Sequence, residues 1–101
     1  MVLDCLVIGV GPGGLTAAIY LARYLRHVLV LDDCRSRALW IPRSHNCPGY
    51  PEGIPGPELI DRLRRQAERY GASFRQERVE ALRRCDDGSL SVACGSDVVS
   101  A

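Results

Sequence analysis

The sequence contains no lysine: its thirteen basic residues are all arginine, and they nearly balance twelve acidic residues, giving a formal net charge of +1. Without lysine the chain can neither form a Schiff base with a carbonyl substrate nor supply the lysine of a phosphate-binding P-loop. The balanced charge gives no indication of a surface for nucleic acid or membrane. We therefore expect neither a nucleic-acid nor a membrane partner.

A paired-cysteine motif is also missing. The five cysteines form no C-x-x-C pair, and their spacing fits neither a zinc site nor a redox dithiol (Cys5, Cys34, Cys47, Cys85 and Cys94). Single thiols are typical of a reducing compartment. The amino terminus has no basic region, and glycines interrupt its apolar run before it reaches the length of a signal or transmembrane segment. The sequence thus predicts a cytoplasmic protein.

The 101 residues are enough for one small domain, and 47% hydrophobic with 25% charged residues is typical of a soluble globular chain. A short apolar run at Leu3–Ile8 predicts a buried parallel strand. Good helix formers at Pro12–Leu25 predict a helix, and His27–Asp32 predicts a second strand. This order indicates an α/β fold of Rossmann-like type, with parallel strands joined by a right-handed crossover helix.

The second half of the chain is predicted to be less regular. Prolines and glycines are too frequent in residues 33–55 for a regular element, and a loop of this length is often functional. A helix is expected from Gly56 to about Tyr70, ended by Gly71. Ser73–Arg84 and Leu90–Cys94 predict paired strands, and Val98-Val99 starts a third strand of a β-meander. Because the chain ends within that strand, we expect an incomplete domain.

The strongest functional signal is a glycine motif. Gly9, Gly11 and Gly14 form G-x-G-x-x-G between the first strand and the first helix, where glycine permits a tight turn, close approach to a pyrophosphate and close helix packing. Asp32 follows at the end of the second strand, in position to accept hydrogen bonds from a ribose. The pattern predicts a dinucleotide site for NAD or FAD. Asp32 argues against NADP at this site, although Arg35 and Arg37 nearby weaken that exclusion slightly.

Three segments carry a resemblance to a known family: GVGPGGLTAAIYLAR, VLVLD and HNCPGYPEGIPGPELIDRLRRQAERYGA. Together they resemble the FAD-binding domain of low-molecular-weight thioredoxin reductases and related pyridine nucleotide-disulfide oxidoreductases. The resemblance implies that the first glycine motif binds FAD. It also implies that the N-x-P-G segment at Asn46–Gly49 passes close to the flavin.

The resemblance further implies roles for individual residues. Gly11, Pro12 and Gly13 would contact the pyrophosphate and Asp32 would contact the ribose. Asn46 would lie beside the isoalloxazine. The backbone of Val79 would meet the adenine, and Arg37 lies in a loop that approaches the cofactor in the family. Gly13 stands where the family usually has alanine, and Leu25 where such helices often end in glycine. The predicted cofactor-binding set is Gly9, Gly11, Pro12, Gly13, Gly14, Asp32, Arg37, Asn46 and Val79.

In the complete enzymes of this family, NAD(P)H reduces FAD, which passes electrons to a disulfide or another acceptor, and the subunits can form homodimers. These 101 residues contain neither a C-x-x-C disulfide nor a second glycine motif. They are therefore expected to form a partial FAD-binding domain, residues 1–101, without disulfide reductase activity. Two alternatives remain. One is a truncated or partner-completed chain that is not catalytic. The other is a fragment of an NAD-binding dehydrogenase, but the N-C-P-G segment argues against it.

Overall fold

The computed structural model describes residues 3–95 and 97–101. Within them the chain forms two sheets and two α-helices, in an α/β arrangement that confirms the predicted fold class. In chain order the elements are β1 (Cys5–Ile8), α1 (Pro12–Arg23), β2 (Val28–Asp32), a short 3-10 helix (Arg37–Trp40), α2 (Gly56–Arg69), β3 (Ser73–Gln76), β4 (Val79–Arg84), β5 (Leu90–Cys94) and β6 (Asp97–Ser100).

The first sheet is parallel, with β2 in the centre and the order β1-β2-β3. Every residue of β2 is buried, because helices cover one face of this sheet and the meander covers the other. Val28 and Val30 belong to the larger hydrophobic cluster, with the buried residues of α1 and α2. Leu29 and Leu31, which alternate with them along the strand, pack with residues of the meander. The continuous apolar run thus gives a strand buried on both faces, as predicted.

The second sheet is an antiparallel meander with the order β4-β5-β6. The turn between β4 and β5 contains Gly88 at φ +87°, and Asp87 Oδ1 accepts hydrogen bonds from the backbone N–H of Ser89 at 2.9 Å and its hydroxyl at 2.6 Å. The predicted pairing with Leu90–Cys94 is confirmed here for β4. Val92 and Cys94 of β5 are the buried residues of the meander, and both pack against the parallel sheet.

The expectation of one strand over Ser73–Arg84 was wrong. The strand ends at Gln76 and resumes at Val79, so that β3 joins the parallel sheet while β4 begins the meander. At the break, Glu77 donates its N–H to the Asp32 carbonyl at the end of β2, at 3.0 Å. The chain changes partners at this point, and the parallel sheet has three strands rather than the two expected.

The first helix ends two residues earlier than predicted, at Arg23. The N–H of Leu25 donates to the Ala22 carbonyl at 2.9 Å, and that of Arg26 donates to Leu21 at 3.0 Å. This closure places Leu25 in the left-handed region at φ 60°, a conformation that usually selects glycine. Gly71 has the equivalent role after α2, with φ +106°, as the sequence predicted.

The long connection between β2 and α2 is ordered by backbone pairing and close packing. Ser44 and Ile54 form an isolated antiparallel bridge, and the 3-10 helix packs under the start of α2. Gly56 makes this approach possible, since a Cβ atom there would lie within 2.7 Å of the carbonyl oxygens of both Ala38 and Ile41. Of the helices in the described ranges, none has the length and apolarity needed to cross a membrane.

Candidate functional site

The glycine motif forms the connection from β1 to α1. Gly9 has φ +96°, and its N–H donates to the Leu31 carbonyl at 2.8 Å, which fixes the turn against β2. A Cβ atom at Gly14 would lie 2.7 Å from the Gly9 carbonyl oxygen and 3.2 Å from Val7 Cγ1. Gly14 is therefore required for the close packing of the helix on the strand, which is the role the motif assigns to its last glycine.

The amino terminus of α1 is open to an anion. Gly11 is its N-cap, no side chain caps the first turn, and Pro12 occupies the first helical position, where its missing N–H is not needed. Uncapped N–H groups and the helix dipole favour a negatively charged ligand. A Cβ atom at Gly9, Gly11 or Gly13 would meet no atom within 4 Å. The turn thus leaves space where a pyrophosphate group can approach the backbone.

A cavity of about 540 Å³ lies between this helix terminus, the N-C-P-G segment and α2. It brings together three of the predicted residues, Pro12, Gly13 and Asn46. Its other lining residues come from α1, from the loop on either side of Asn46 and from the apolar face of α2 (Thr16, Ser44, Cys47, Pro48, Leu59 and Leu63). A large, partly apolar cavity with a few polar groups is typical of a small-molecule site.

Asn46 is held by a neighbouring side chain. The Ser44 hydroxyl donates to Asn46 Oδ1 at 2.9 Å. Cys47 is half-buried, and its thiol contacts the Pro48 carbonyl at 3.8 Å. Sequence reasoning missed Ser44, Thr16, Leu59 and Leu63, because only the pairing of Ser44 with Ile54 and the packing of α2 beside α1 bring these residues to one cavity.

On the other side of the glycine turn, a smaller cavity of about 130 Å³ brings Gly9 and Val79 together. Asp33, Glu77 and Arg78 also line this cavity, and the same three residues line an open cleft of about 230 Å³ with Arg35 and Gln76. The break between β3 and β4 places Val79 there, since it turns the chain across the carboxyl end of β2. Ligands of parallel α/β sheets commonly bind at this end of the strands.

Asp32 is buried at the end of β2, with 9% of its surface exposed. Its Oδ1 accepts a hydrogen bond from the N–H of Cys34 at 2.9 Å, and its Oδ2 lies 3.7 Å from the Cys34 thiol. Partial desolvation and the Asp32 carboxylate both raise the pKa of Cys34. Asp32 lines a pocket of about 60 Å³ with Arg64 and Phe74, separate from the cavity at Gly9 and Val79.

Arg37 lies apart from these groups. It is exposed at the start of the 3-10 helix, and it is not among the residues that line the cavities on either side of the glycine turn. The structure thus assembles most of the predicted set around the turn between β1 and α1. It leaves Arg37 outside, and it engages both Asp32 carboxylate oxygens with Cys34.

A parallel sheet with a crossover helix, a glycine-rich turn and an open helix amino terminus are typical of the Rossmann-like class of dinucleotide-binding folds. Comparison with known proteins is consistent with this class. No protein-family model matches the chain. The chain is 43% identical over 81 residues to a thioredoxin reductase of Mycolicibacterium smegmatis, covering 78% of this chain and 26% of that protein.

Another curated protein and a solved structure similar to this chain are also named as thioredoxin reductases. The NADPH-dependent thioredoxin reductase 3 of Arabidopsis thaliana is 39% identical over 85 residues, which cover 78% of this chain and 16% of that protein. The crystal structure of the atypical thioredoxin reductase TRi from Desulfovibrio vulgaris Hildenborough superposes with a TM-score of 0.87 at 38% identity, covering 95% of this chain and 32% of that chain.

The chain is therefore related to the thioredoxin reductases, and its fold is that of their Rossmann-like FAD-binding domain. It spans about a quarter or less of the length of these curated relatives, 26% and 16%.

Proposed function

We propose that this chain is the FAD-binding portion of a thioredoxin reductase-like flavoprotein oxidoreductase. The observation that carries the proposal is the glycine turn, whose open backbone faces the uncapped start of α1 while Asn46 faces the same cavity from the opposite loop. An anionic pyrophosphate fits the helix terminus, and the 540 Å³ cavity beside it has the volume and mixed polarity that a flavin needs.

In this proposal most of the predicted residues have a position along the dinucleotide. Gly11, Pro12 and Gly13 bind the pyrophosphate, Gly9 and Gly14 form and pack the turn, and Asn46 lies beside the isoalloxazine. At the other end, Val79 meets the adenine through its backbone and Asp32 accepts from the ribose. Arg37 lines neither cavity, and its approach to the cofactor stays a prediction. Asp32 can accept from the ribose while it holds Cys34, because a carboxylate has about four lone-pair sites and the Cys34 N–H and thiol use two of them.

In the complete enzyme, FAD held at this site would supply two-electron chemistry, taking up a hydride from NAD(P)H and reducing an acceptor. With a disulfide acceptor, two electrons and two protons yield two thiols. The C-x-x-C pair and the second nucleotide motif needed for these steps do not occur in these 101 residues. We propose a cytoplasmic location, since a reducing environment suits the unpaired cysteines of this chain. A homodimer of the complete enzyme is proposed from the family resemblance alone.

The binding test compares Gly11→Ala with Gly13→Ala in FAD titrations of the purified chain, followed by quenching of flavin fluorescence. Both added methyl groups enter open space, so neither should lower the melting temperature. Gly11→Ala should weaken binding at least tenfold, because its methyl group occupies the space that the pyrophosphate needs. Gly13→Ala should retain binding, because alanine usually stands here in the family that the sequence resembles.

Equal affinities for these two variants and the parent would show that the turn does not bind the cofactor. The second test measures NADPH oxidation with a disulfide acceptor. The purified chain should give no rate above that of free flavin, and clear turnover would contradict the assignment of the chain as a cofactor-binding portion only.

A further inference from the structure

The N-C-P-G segment is held at its base by a short backbone bridge. Ser44 donates its N–H to the Ile54 carbonyl at 2.7 Å, and Ile54 donates its N–H to the Ser44 carbonyl at 2.9 Å. Ile54 is buried, with 2% of its surface exposed, so the bridge is anchored in the protein interior. The backbone of Ser44 is therefore fixed although the segment that follows it lies at the surface.

Contacts around the bridge restrict it further. The guanidinium of Arg43 donates through Nη1 to the carbonyl oxygens of Glu52, at 3.2 Å, and Gly53, at 3.1 Å. Gly53 has φ +82°, and a Cβ atom at this position would lie 2.8 Å from the Ser44 carbonyl oxygen. The glycine thus allows the returning chain to approach Ser44 closely, and the arginine holds it there.

Ser44 uses its side chain on Asn46. Its hydroxyl donates to Asn46 Oδ1 at 2.9 Å, and both residues line the 540 Å³ cavity opposite Pro12 and Gly13. A carboxamide has one acceptor oxygen and one NH2 group with two donor hydrogens. The Ser44 hydroxyl uses one of the two lone pairs of the oxygen and so fixes the orientation of the amide, which leaves both donor hydrogens of the NH2 group for a ligand. A donor held in one orientation loses less conformational freedom on binding than a freely rotating one.

We infer that Ser44 is a positioning residue, which orients the Asn46 amide so that its NH2 group donates to an acceptor atom of the ligand in the 540 Å³ cavity. This inference rests on the proposed function, which identifies that ligand as a flavin dinucleotide. Ser44 itself need not touch the ligand. Its contribution passes through the hydrogen bond to Asn46 and therefore depends on the presence of Asn46.

The test is a double-mutant cycle on FAD affinity, measured by flavin fluorescence with the purified chain. Ser44→Ala should raise the Kd about five- to tenfold, the range of one oriented hydrogen bond. Ser44→Thr retains the hydroxyl and should restore most of the affinity. Ser89→Ala is the matched control: it removes a hydroxyl that donates to Asp87 at 2.6 Å, and because Ser89 does not line the cavity, the Kd should be unchanged.

The cycle separates positioning from direct contact. In the Asn46→Ala background, Ser44→Ala should have no further effect on the Kd, whereas a further loss would show that Ser44 binds the ligand itself and would overturn the inference. Asn46→Asp replaces the donor by an acceptor and should weaken binding at least as much as Asn46→Ala. Stronger binding by Asn46→Asp would show that the donor is not the interacting group.

Failure of the inference and of the proposed function give different results. If the parent chain binds FAD and Ser44→Ala binds it equally well, only the positioning role is wrong. If the parent chain binds no FAD, the proposed function is wrong and the inference falls with it. Melting temperatures of all variants identify any loss of affinity that comes from unfolding. Rescue by Ser44→Thr distinguishes loss of the hydroxyl from a general effect of substitution at this position.

Discussion

The parallel sheet and the meander have the same number of strands but differ greatly in how they are buried. All of β2 is buried, and its two faces belong to different hydrophobic clusters. In β4 only Val79 is even half-buried, and the other residues are exposed. The meander has no cluster of its own, because Val92 and Cys94 pack on Leu29 and Leu31 of the parallel sheet.

This difference indicates a hierarchy of stability within one small chain. The helices and the parallel sheet enclose the larger cluster, whereas the meander depends on a surface that the parallel sheet provides. Segments with few buried apolar contacts open at lower free energy than the rest of a protein. We therefore expect the meander to exchange its backbone amide hydrogens sooner than β1 and β2.

The largest effect is expected for Gly56→Ala in the α/β region. The added Cβ would overlap the Ala38 carbonyl and lie 2.7 Å from that of Ile41, both of them backbone atoms that a rotamer change cannot move. Overpacking of this kind lowers the free energy of unfolding by about 3 kcal/mol or more. Urea denaturation measures this change. Gly13→Ala, the same substitution in the first turn of α1, is the control and should not destabilise the chain, since its methyl group enters open space.

The comparison of the two sheets is tested most directly by Val30→Ala and Val92→Ala. The two side chains are the same and almost equally buried, at 0% and 1% exposure. We expect a loss of about 2–3 kcal/mol for Val30→Ala and about 1 kcal/mol less for Val92→Ala, because the smaller cluster can close around the lost methyl groups more easily. Urea titrations give both values. Equal losses would show that the meander is as tightly packed as the parallel sheet.

A stabilising substitution is expected at Leu25, which follows α1. Its backbone is left-handed, at φ 60°, while 86% of its surface is exposed, so the side chain adds little packing to offset the strain. Leu25→Gly should raise the free energy of unfolding by about 0.5–1 kcal/mol. The melting temperature reports the change. Leu82→Gly, at an exposed position of β4 with ordinary backbone, should instead lower it.

The smallest effect concerns the ion pair between the two sheets. Arg75 of β3 donates to Asp97 of β6 at 2.7 Å, and this hydrogen bond lowers the pKa of Asp97 below its usual value. A lowered folded-state pKa stabilises the protein above the unfolded-state pKa of about 3.9, and this contribution disappears as the pH falls through the folded-state value. Asp97→Asn should therefore slightly destabilise the chain at pH 7 and have a smaller effect near pH 2.

Urea midpoints at the two pH values measure this difference. Glu52→Gln, which makes the same change of net charge on the loop before α2, is the control. A difference between Asp97→Asn and the parent that is undiminished at pH 2 would mean that the carboxylate charge is not the cause.

Local sequence signals predicted the parallel half of the fold well. The apolar run of β2, the glycine motif and Gly71 each depend on residues close together in the chain, and all three lie where expected. The division of Ser73–Arg84 into two strands, β3 and β4, could not be predicted from local signals. Alternation along a strand does not reveal which neighbour it pairs with, and the break at Glu77 depends on the position of the Asp32 carbonyl, far away in sequence.

The candidate site was predictable to a similar degree. The motif identified the turn and the helix terminus, because the backbone alone forms them. Its spacing could not show that Asp32 would be engaged by Cys34, since that contact depends on the left-handed backbone of Cys34 at φ 64°. Nor could it show the contact from Ser44 to Asn46, which depends on the pairing of Ser44 with Ile54.

The glycine turn separates two cavities, one lined by Gly9 and Val79 and the other by Gly13 and Asn46. In the proposed complex, a dinucleotide is a pair of tethered fragments, each of which raises the effective concentration of the other at its own cavity. Adenosine monophosphate and flavin mononucleotide should each bind far more weakly than the dinucleotide in which they are joined. Dissociation should be slow for the same reason, because a fragment that leaves its cavity is held nearby by the other and can rebind before the whole ligand escapes.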